Sequence, residues 1–218
     1  MKSPDTTALV VIDMQRDFLD PAGYIGQSGV DVGVLRAAIP NVRRLIDMAR
    51  SAGIHVIHTR EGHRPDLSDL NAAKARRAAG VGAAIGSRGP LGRLLVRGER
   101  GHAIIDELAP LPSEVVIDKP GFGAFYATDL ELVLRARGIT ALMLAGVTTD
   151  VCVHSTLREA VDRGFDCHTV GDACAAADAA IHAAMLTCIA GEGGILGQVA
   201  STAEMMAAWG ELKHEYNH

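Results

Sequence analysis

No stretch of this 218-residue chain is long and uncharged enough to cross a bilayer, because charged residues interrupt every hydrophobic segment. The first apolar run, Ala8–Ile12, ends at once in Asp13 and is too short for the core of a signal peptide. A basic stripe is also missing. Lys and Arg are scattered and the formal net charge is only −5, so no nucleic-acid partner is expected. Cysteine is sparse. Cys152, Cys167, Cys174 and Cys188 all lie in the C-terminal third and form no C-x-x-C pair, which argues against a disulfide framework and against structural zinc. A cytoplasmic, reducing setting without a membrane partner is the expectation.

What is present is an α/β rhythm in a chain with 48% hydrophobic residues, enough for one sizeable core. Short, β-branched runs at Ala8–Ile12, Ile54–His58, Val115–Ile117, Ala141–Ala145, Cys167–Val170 and Ile195–Val199 read as buried parallel strands. Helical segments alternate with them at Val34–Ala52, Thr128–Arg137, Asp150–Arg163, Asp178–Ala190 and Ser201–Leu212. Gly53, Gly138 and Gly164 stand where helices end. The order predicts a doubly wound, Rossmann-like parallel sheet of six strands with helices on both faces, in a single domain spanning residues 1–218. Only the interval from Thr59 to Glu114 breaks the rhythm, as a long irregular excursion with a modest helix near Leu70–Ala79.

Ligands of open α/β sheets sit beyond the carboxyl ends of the strands. There the sequence places Asp13 after the first strand, Lys119 after the third, and Cys152 in the first turn of the helix after the fourth. A helix start and a neighbouring lysine both favour a thiolate, and a carboxylate can take the thiol proton and return it to a leaving nitrogen. Singly, each has an ordinary explanation as a turn former, an exposed lysine or a packed thiol. Three complementary groups on one sheet edge are harder to assign to packing.

The stretches ALVVIDMQRDFLDP, VVIDKPGFGAF and LMLAGVTTDVCVHSTLREA resemble the isochorismatase-like superfamily of cysteine hydrolases. That resemblance implies Asp13 as general base, Lys119 as the ordering cation and Cys152 as a nucleophile that forms a thioester or thiocarbamate. It also implies a cis peptide between Val147 and Thr148, with the N–H groups of Thr148 and Cys152 as oxyanion hole. Among its members the chain is most similar to ureide hydrolases of the biuret hydrolase type. The expected activity is cysteine-dependent cleavage of a C–N bond in a small ureide or amide, of the biuret, triuret or ureidoacrylate kind. A vinyl-ether hydrolase, a nicotinamidase-like amidase and an idle scaffold are the alternatives. HTREGH lacks the Asp-x-His that marks the metal cluster of nicotinamidases, so no metal or other cofactor is expected, and His58 and His63 read as structural. Family members are commonly dimers or tetramers, which implies a homo-oligomer. Substrate-binding candidates are Phe18 as an aromatic wall, Arg60 at the second strand end, Phe122 where relatives carry a second cation, and Glu192 in GEGG. Phe125 is a second aromatic candidate, with ordinary core packing as its alternative.

Overall fold

The computed structural model describes residues 3–216. Six parallel strands form the sheet: β1 (Thr7–Ile12), β2 (His55–Glu61), β3 (Val115–Lys119), β4 (Ala141–Val147), β5 (Asp166–Ala175) and β6 (Gln198–Ala200). Their spatial order is β3-β2-β1-β4-β5-β6, with the reversal of order between β1 and β4. Six longer helices accompany them: α1 (Ile39–Ala52), α2 (Ala72–Gly80), α3 (Leu130–Ala136), α4 (His154–Asp162), α5 (Ala179–Ala190) and α6 (Thr202–Tyr216).

The alternation of β1 shows why both faces must be covered. Leu9 and Val11 point into one core with Val42, Leu45, Ile46 and Ala49 of α1. Ala8, Val10 and Ile12 point into the other, with Leu130 and Leu134 of α3 and Leu157 and Ala160 of α4. Each fully buried Leu or Ile contributes roughly 1.5–3 kcal/mol, so a one-residue slip of β1 would exchange two complete sets of contacts.

Several boundaries differ from the sequence expectation. The segment from Val34 splits into a short helix, Val32–Arg36, and α1, because Pro40 in the first turn of α1 favours a fresh helix start there. The last strand is Gln198–Ala200 rather than Ile195–Val199; Ile195 is exposed in a turn, and Gly197 takes φ of 117° just before pairing begins. Cys152 lies in a π-helical turn, Thr149–Val153, that precedes α4, not in the first turn of an α-helix. The excursion begins later than expected, since β2 runs on through Glu61. It is folded into the domain by buried Ile85, Leu95, Ile104, Ile105 and Leu108, and it carries α2 and a small hairpin, Arg88–Gly89 with Gly92–Arg93.

Candidate active site

The sheet register assembles the site. In the β2–β3 ladder Arg60 pairs with Asp118 and Glu61 with Lys119. Since side chains alternate, one charged pair falls on each face of the sheet. Glu61 and Lys119 turn toward Asp13, which follows β1, and toward Cys152, which follows β4. β1 and β4 approach closely at this point: Gly146 has φ of 124°, and a Cβ there would lie 2.1 Å from the Ile12 carbonyl oxygen. Only glycine fits. Asp13 itself takes φ of 52°, an uncommon conformation for a residue with a side chain, and such outliers concentrate where function holds them.

All four side chains are buried. Lys119 Nζ lies 2.7 Å from Asp13 Oδ2 and 3.6 Å from Glu61 Oε2. It also donates to the carbonyls of Gly121 (3.0 Å) and Phe122 (2.9 Å). Asp13 Oδ1 accepts the Thr59 hydroxyl at 2.6 Å, and that hydroxyl oxygen in turn accepts the Asp13 N–H at 3.2 Å. The Cys152 thiol donates to Glu61 Oε2 at 3.3 Å. Gln15 fixes the backbone of Glu61 from both sides, accepting its N–H at 2.6 Å and donating to its carbonyl at 2.9 Å. The Val147–Thr148 peptide is cis.

Electrostatics follow from burial and charge count. Burial pushes the Cys152 thiol well above its ordinary range, against the pull of Lys119. Burial thus works against the thiolate that a helix start and a lysine favour. Burial also raises the Asp13 carboxyl in spite of Lys119. Glu61 goes the other way: burial would raise it, but Lys119 and then Lys74 hold it below the usual carboxylate range. Lys119 is held charged by Asp13, Cys152 and Glu61 despite its own burial. Donor atoms of Asp13, Glu61 and Cys152 lie within 4.8 Å of one another. Two of these groups already share the Lys119 ammonium as their cation.

The thiol opens into a cavity of about 270 Å³. Its walls are mostly apolar, formed by Phe18, Tyr24 and Ile25 together with Ala78, Val81, Ile85 and Leu95 from the excursion. Phe122, Thr148 and Val151 complete the rim near Cys152.

Of the residues predicted from sequence, Asp13, Lys119, Cys152, Thr148, Phe18 and Phe122 come together here. Arg60 does not. It forms a bidentate pair with Asp118 (2.7 and 3.0 Å) on the opposite face of β2, because strand alternation turns it away from Thr59 and Glu61. Glu192 does not either: it is exposed, in the turn between α5 and β6, and is not part of the cavity wall. Phe125 packs against Phe165 in the core, with ring centroids 5.8 Å apart. His58 pairs with Glu114 (3.1 Å) and His63 with Asp69 (3.2 Å), so the two histidines serve different structural contacts. Glu61 and Lys74 were missed. The Thr59/Glu61 alternation in HTRE, continued past His58 as strand, was the available signal for Glu61.

Residues 7–204 match the isochorismatase domain family, and the chain belongs to it. It is a hydrolase of that family, built on its α/β fold. Over 169 residues it is 36% identical to the ureidoacrylate amidohydrolase RutB of Agrobacterium fabrum, spanning 72% of this chain and 70% of that protein. The RutB protein of Rhizobium rhizogenes is equally similar, at 36%, with 65% of its length spanned. Among solved structures, a cysteine hydrolase from Pseudomonas syringae pv. phaseolicola superposes with a TM-score of 0.82 at 29% identity, covering 96% of this chain and 95% of that one. An N-carbamoylsarcosine amidase from Thermoplasma acidophilum superposes with a TM-score of 0.70 at 25% identity, covering 90% and 96%.

Proposed function

We propose that the chain is a cysteine-dependent amidohydrolase that cleaves a C–N bond in a ureide, through a covalent adduct on Cys152. As an isochorismatase-family hydrolase with amidohydrolase relatives, it acts on linear, non-peptide C–N bonds. The observation that carries the cysteine reading is the buried Cys152 thiol, 3.3 Å from a carboxylate that two ammonium groups hold below its usual range, in the wall of the apolar cavity.

In this reading Sγ attacks the substrate carbonyl while its proton, held toward Glu61 in the resting site, passes to Asp13, the general base, whose carboxylate lies within 4.8 Å of the sulfur. The oxyanion is met by the backbone N–H groups of Thr148 and Cys152. Asp13 then protonates the leaving nitrogen, the C–N bond breaks, and water, oriented by the carboxylates, hydrolyses the thioester or thiocarbamate. Lys119 keeps the pair of carboxylates together as charge shifts between them. No metal or organic cofactor enters any step.

The cavity wall narrows the substrate. Biuret is polar along its whole length and would leave Phe18, Ile25, Val81 and Leu95 without apolar partners. A ureide with a short carbon chain suits them better. Arg77 stands exposed at the mouth, with no acidic partner among the described residues, and fits a substrate that ends in a carboxylate. Ureidoacrylate has both features.

The test is ammonia release across biuret, triuret, guanylurea, ureidoacrylate, N-carbamoyl amino acids and nicotinamide, with iodoacetamide labelling alongside. Ureidoacrylate is expected to be the best of these, and Cys152→Ser to lower kcat by about a thousandfold or more while the protein stays folded. A Cys152→Ser variant with wild-type turnover would overturn the mechanism. A preference for biuret would overturn the substrate.

A further inference from the structure

We propose that Lys74, delivered by α2 of the excursion, is a positioning residue that keeps the Glu61 carboxylate ionised and fixed beside the Cys152 thiol. The inference rests on the cysteine-hydrolase reading above and extends it to a residue outside the sheet edge.

Lys74 is buried, which is unusual for lysine unless it is paired. Its Nζ lies 2.5 Å from Glu61 Oε1 and donates to the Pro120 carbonyl at 2.7 Å. The same ammonium sits 4.9 Å from the centre of the Phe122 ring, where the ring face adds attraction. The start of α2 is locked at this residue, since the Asn71 side chain caps the helix by accepting the Lys74 N–H at 2.8 Å. The chain thus spends a helix cap, a carbonyl and an aromatic ring on holding one ammonium against one oxygen of Glu61. The other oxygen faces Cys152 and, at 3.6 Å, Lys119.

Charge balance gives the reason. The groups that face Glu61 are Lys119 from β3, Asp13 beyond β1, Cys152 in the π-helical turn and Lys74 from α2; Asp17, Tyr24 and His63 act from further away. With the thiol neutral, two carboxylates are matched by two ammonium groups. Removing Lys74 leaves two buried negative charges and one positive, and the cheapest relief is for a carboxyl to take up a proton. Glu61 is the carboxyl that loses its direct partner. Once protonated it no longer accepts from the thiol.

The experiment compares Lys74→Met, Lys74→Arg and Glu61→Gln by two readouts. Difference infrared titration with 13C-labelled glutamate follows Glu61 ionisation without turnover, with Glu61→Gln assigning the band. The pH dependence of kcat/KM with ureidoacrylate follows its consequence. Lys74→Met is expected to raise the Glu61 titration, and with it the acid limb of kcat/KM, by about one pH unit or more, a loss of about fivefold or more at the old midpoint and about tenfold well below it. Lys74→Arg restores both, and Lys74→Met on top of Glu61→Gln moves the limb no further. An unchanged Glu61 titration in Lys74→Met overturns the proposal, as does an equal shift in the Glu61→Gln background. Should Lys74→Met fail to melt cooperatively, Lys74→Gln carries the same comparison. If the wild type turns over no ureide, the substrate reading fails, while the infrared titration still decides the role of Lys74.

Discussion

Replacing Lys119 by Met removes the ammonium on which the site's carboxylates converge, and its cost can be worked from the contacts. Lys119 is 0% exposed and lies 2.7 Å from Asp13 Oδ2 and 3.6 Å from Glu61 Oε2. Stripping one partner from a buried pair costs about 3–5 kcal/mol, because the remaining charge has no water to turn to. The carbonyls of Gly121 and Phe122 also lose a charged donor, at about 1 kcal/mol each where no water replaces it. Proton uptake limits the total. With only Lys74 left to balance two carboxylates, one carboxyl in the folded variant titrates above its unfolded value. Stability gained from that proton is fully present below the unfolded pKa and is lost as pH rises through the folded one, at about 1.4 kcal/mol per pH unit. Urea unfolding at pH 5.5 and pH 8, with m-values confirmed equal, should therefore give a penalty of about 6 kcal/mol at pH 8, where little of that relief remains, and about 2 kcal/mol less at pH 5.5. Equal penalties at the two pH values, or a loss below about 1 kcal/mol at both, would refute the charge-balance reasoning.

Further outcomes follow from placement. Arg60→Ala breaks the bidentate pair with Asp118 on the far face of the sheet, so it should lower thermal stability with little change in KM; a large KM increase would put Arg60 in the substrate path after all. Glu192→Ala, in an exposed turn, should leave kcat/KM within about twofold. The sequence of α5, AAIHAAMLTCIA, is almost wholly apolar, yet only Ile189 is buried, so α5 is the face on which to test for self-association. Ile181→Glu on that face should reduce the assembly mass measured by light scattering, and an unchanged mass would place the contact elsewhere.

The clustering of Asp13, Lys119 and Cys152 was legible in the sequence because strand ends are legible. A hydrophobic run that stops at Asp13, another at Asp118-Lys119 and a third before Thr148 give three points on one edge, and parallel topology brings them together without knowledge of any loop. Glu61 was lost through a boundary. Ending the second strand at His58 handed Thr59, Arg60 and Glu61 to the excursion, where alternation carries no meaning, so the outward Arg60 was chosen over the inward Glu61. Lys74 was lost for a different reason. In NAAKARRAA a lysine reads as a solvated helical position, and nothing local says that Glu61 and Phe122 will cover it. Glu192 failed in the opposite direction, since two glycines beside it leave the chain free to turn it outward.

These misses share a cause that bears on how the enzyme is built. The sheet edge supplies the proposed chemical groups: a thiol, two carboxylates and a lysine, each set by a strand end and a register that tolerate little drift, as the approach of Gly146 to Ile12 shows. The excursion supplies enclosure: Ala78, Val81, Ile85 and Leu95 close the cavity, and Lys74 completes its charge balance. A chain can change the second set by altering a loop while leaving the first untouched, which on the proposed mechanism would change the accepted substrate without changing how it is cleaved. The physical link between the two sets is Glu61, held in backbone by Gln15 from the sheet side and in charge by Lys74 from the excursion. A change in the excursion that displaces α2 should therefore alter the acid limb of the rate profile as well as the substrate preference. One that only reshapes Val81 or Ile85 should alter preference alone.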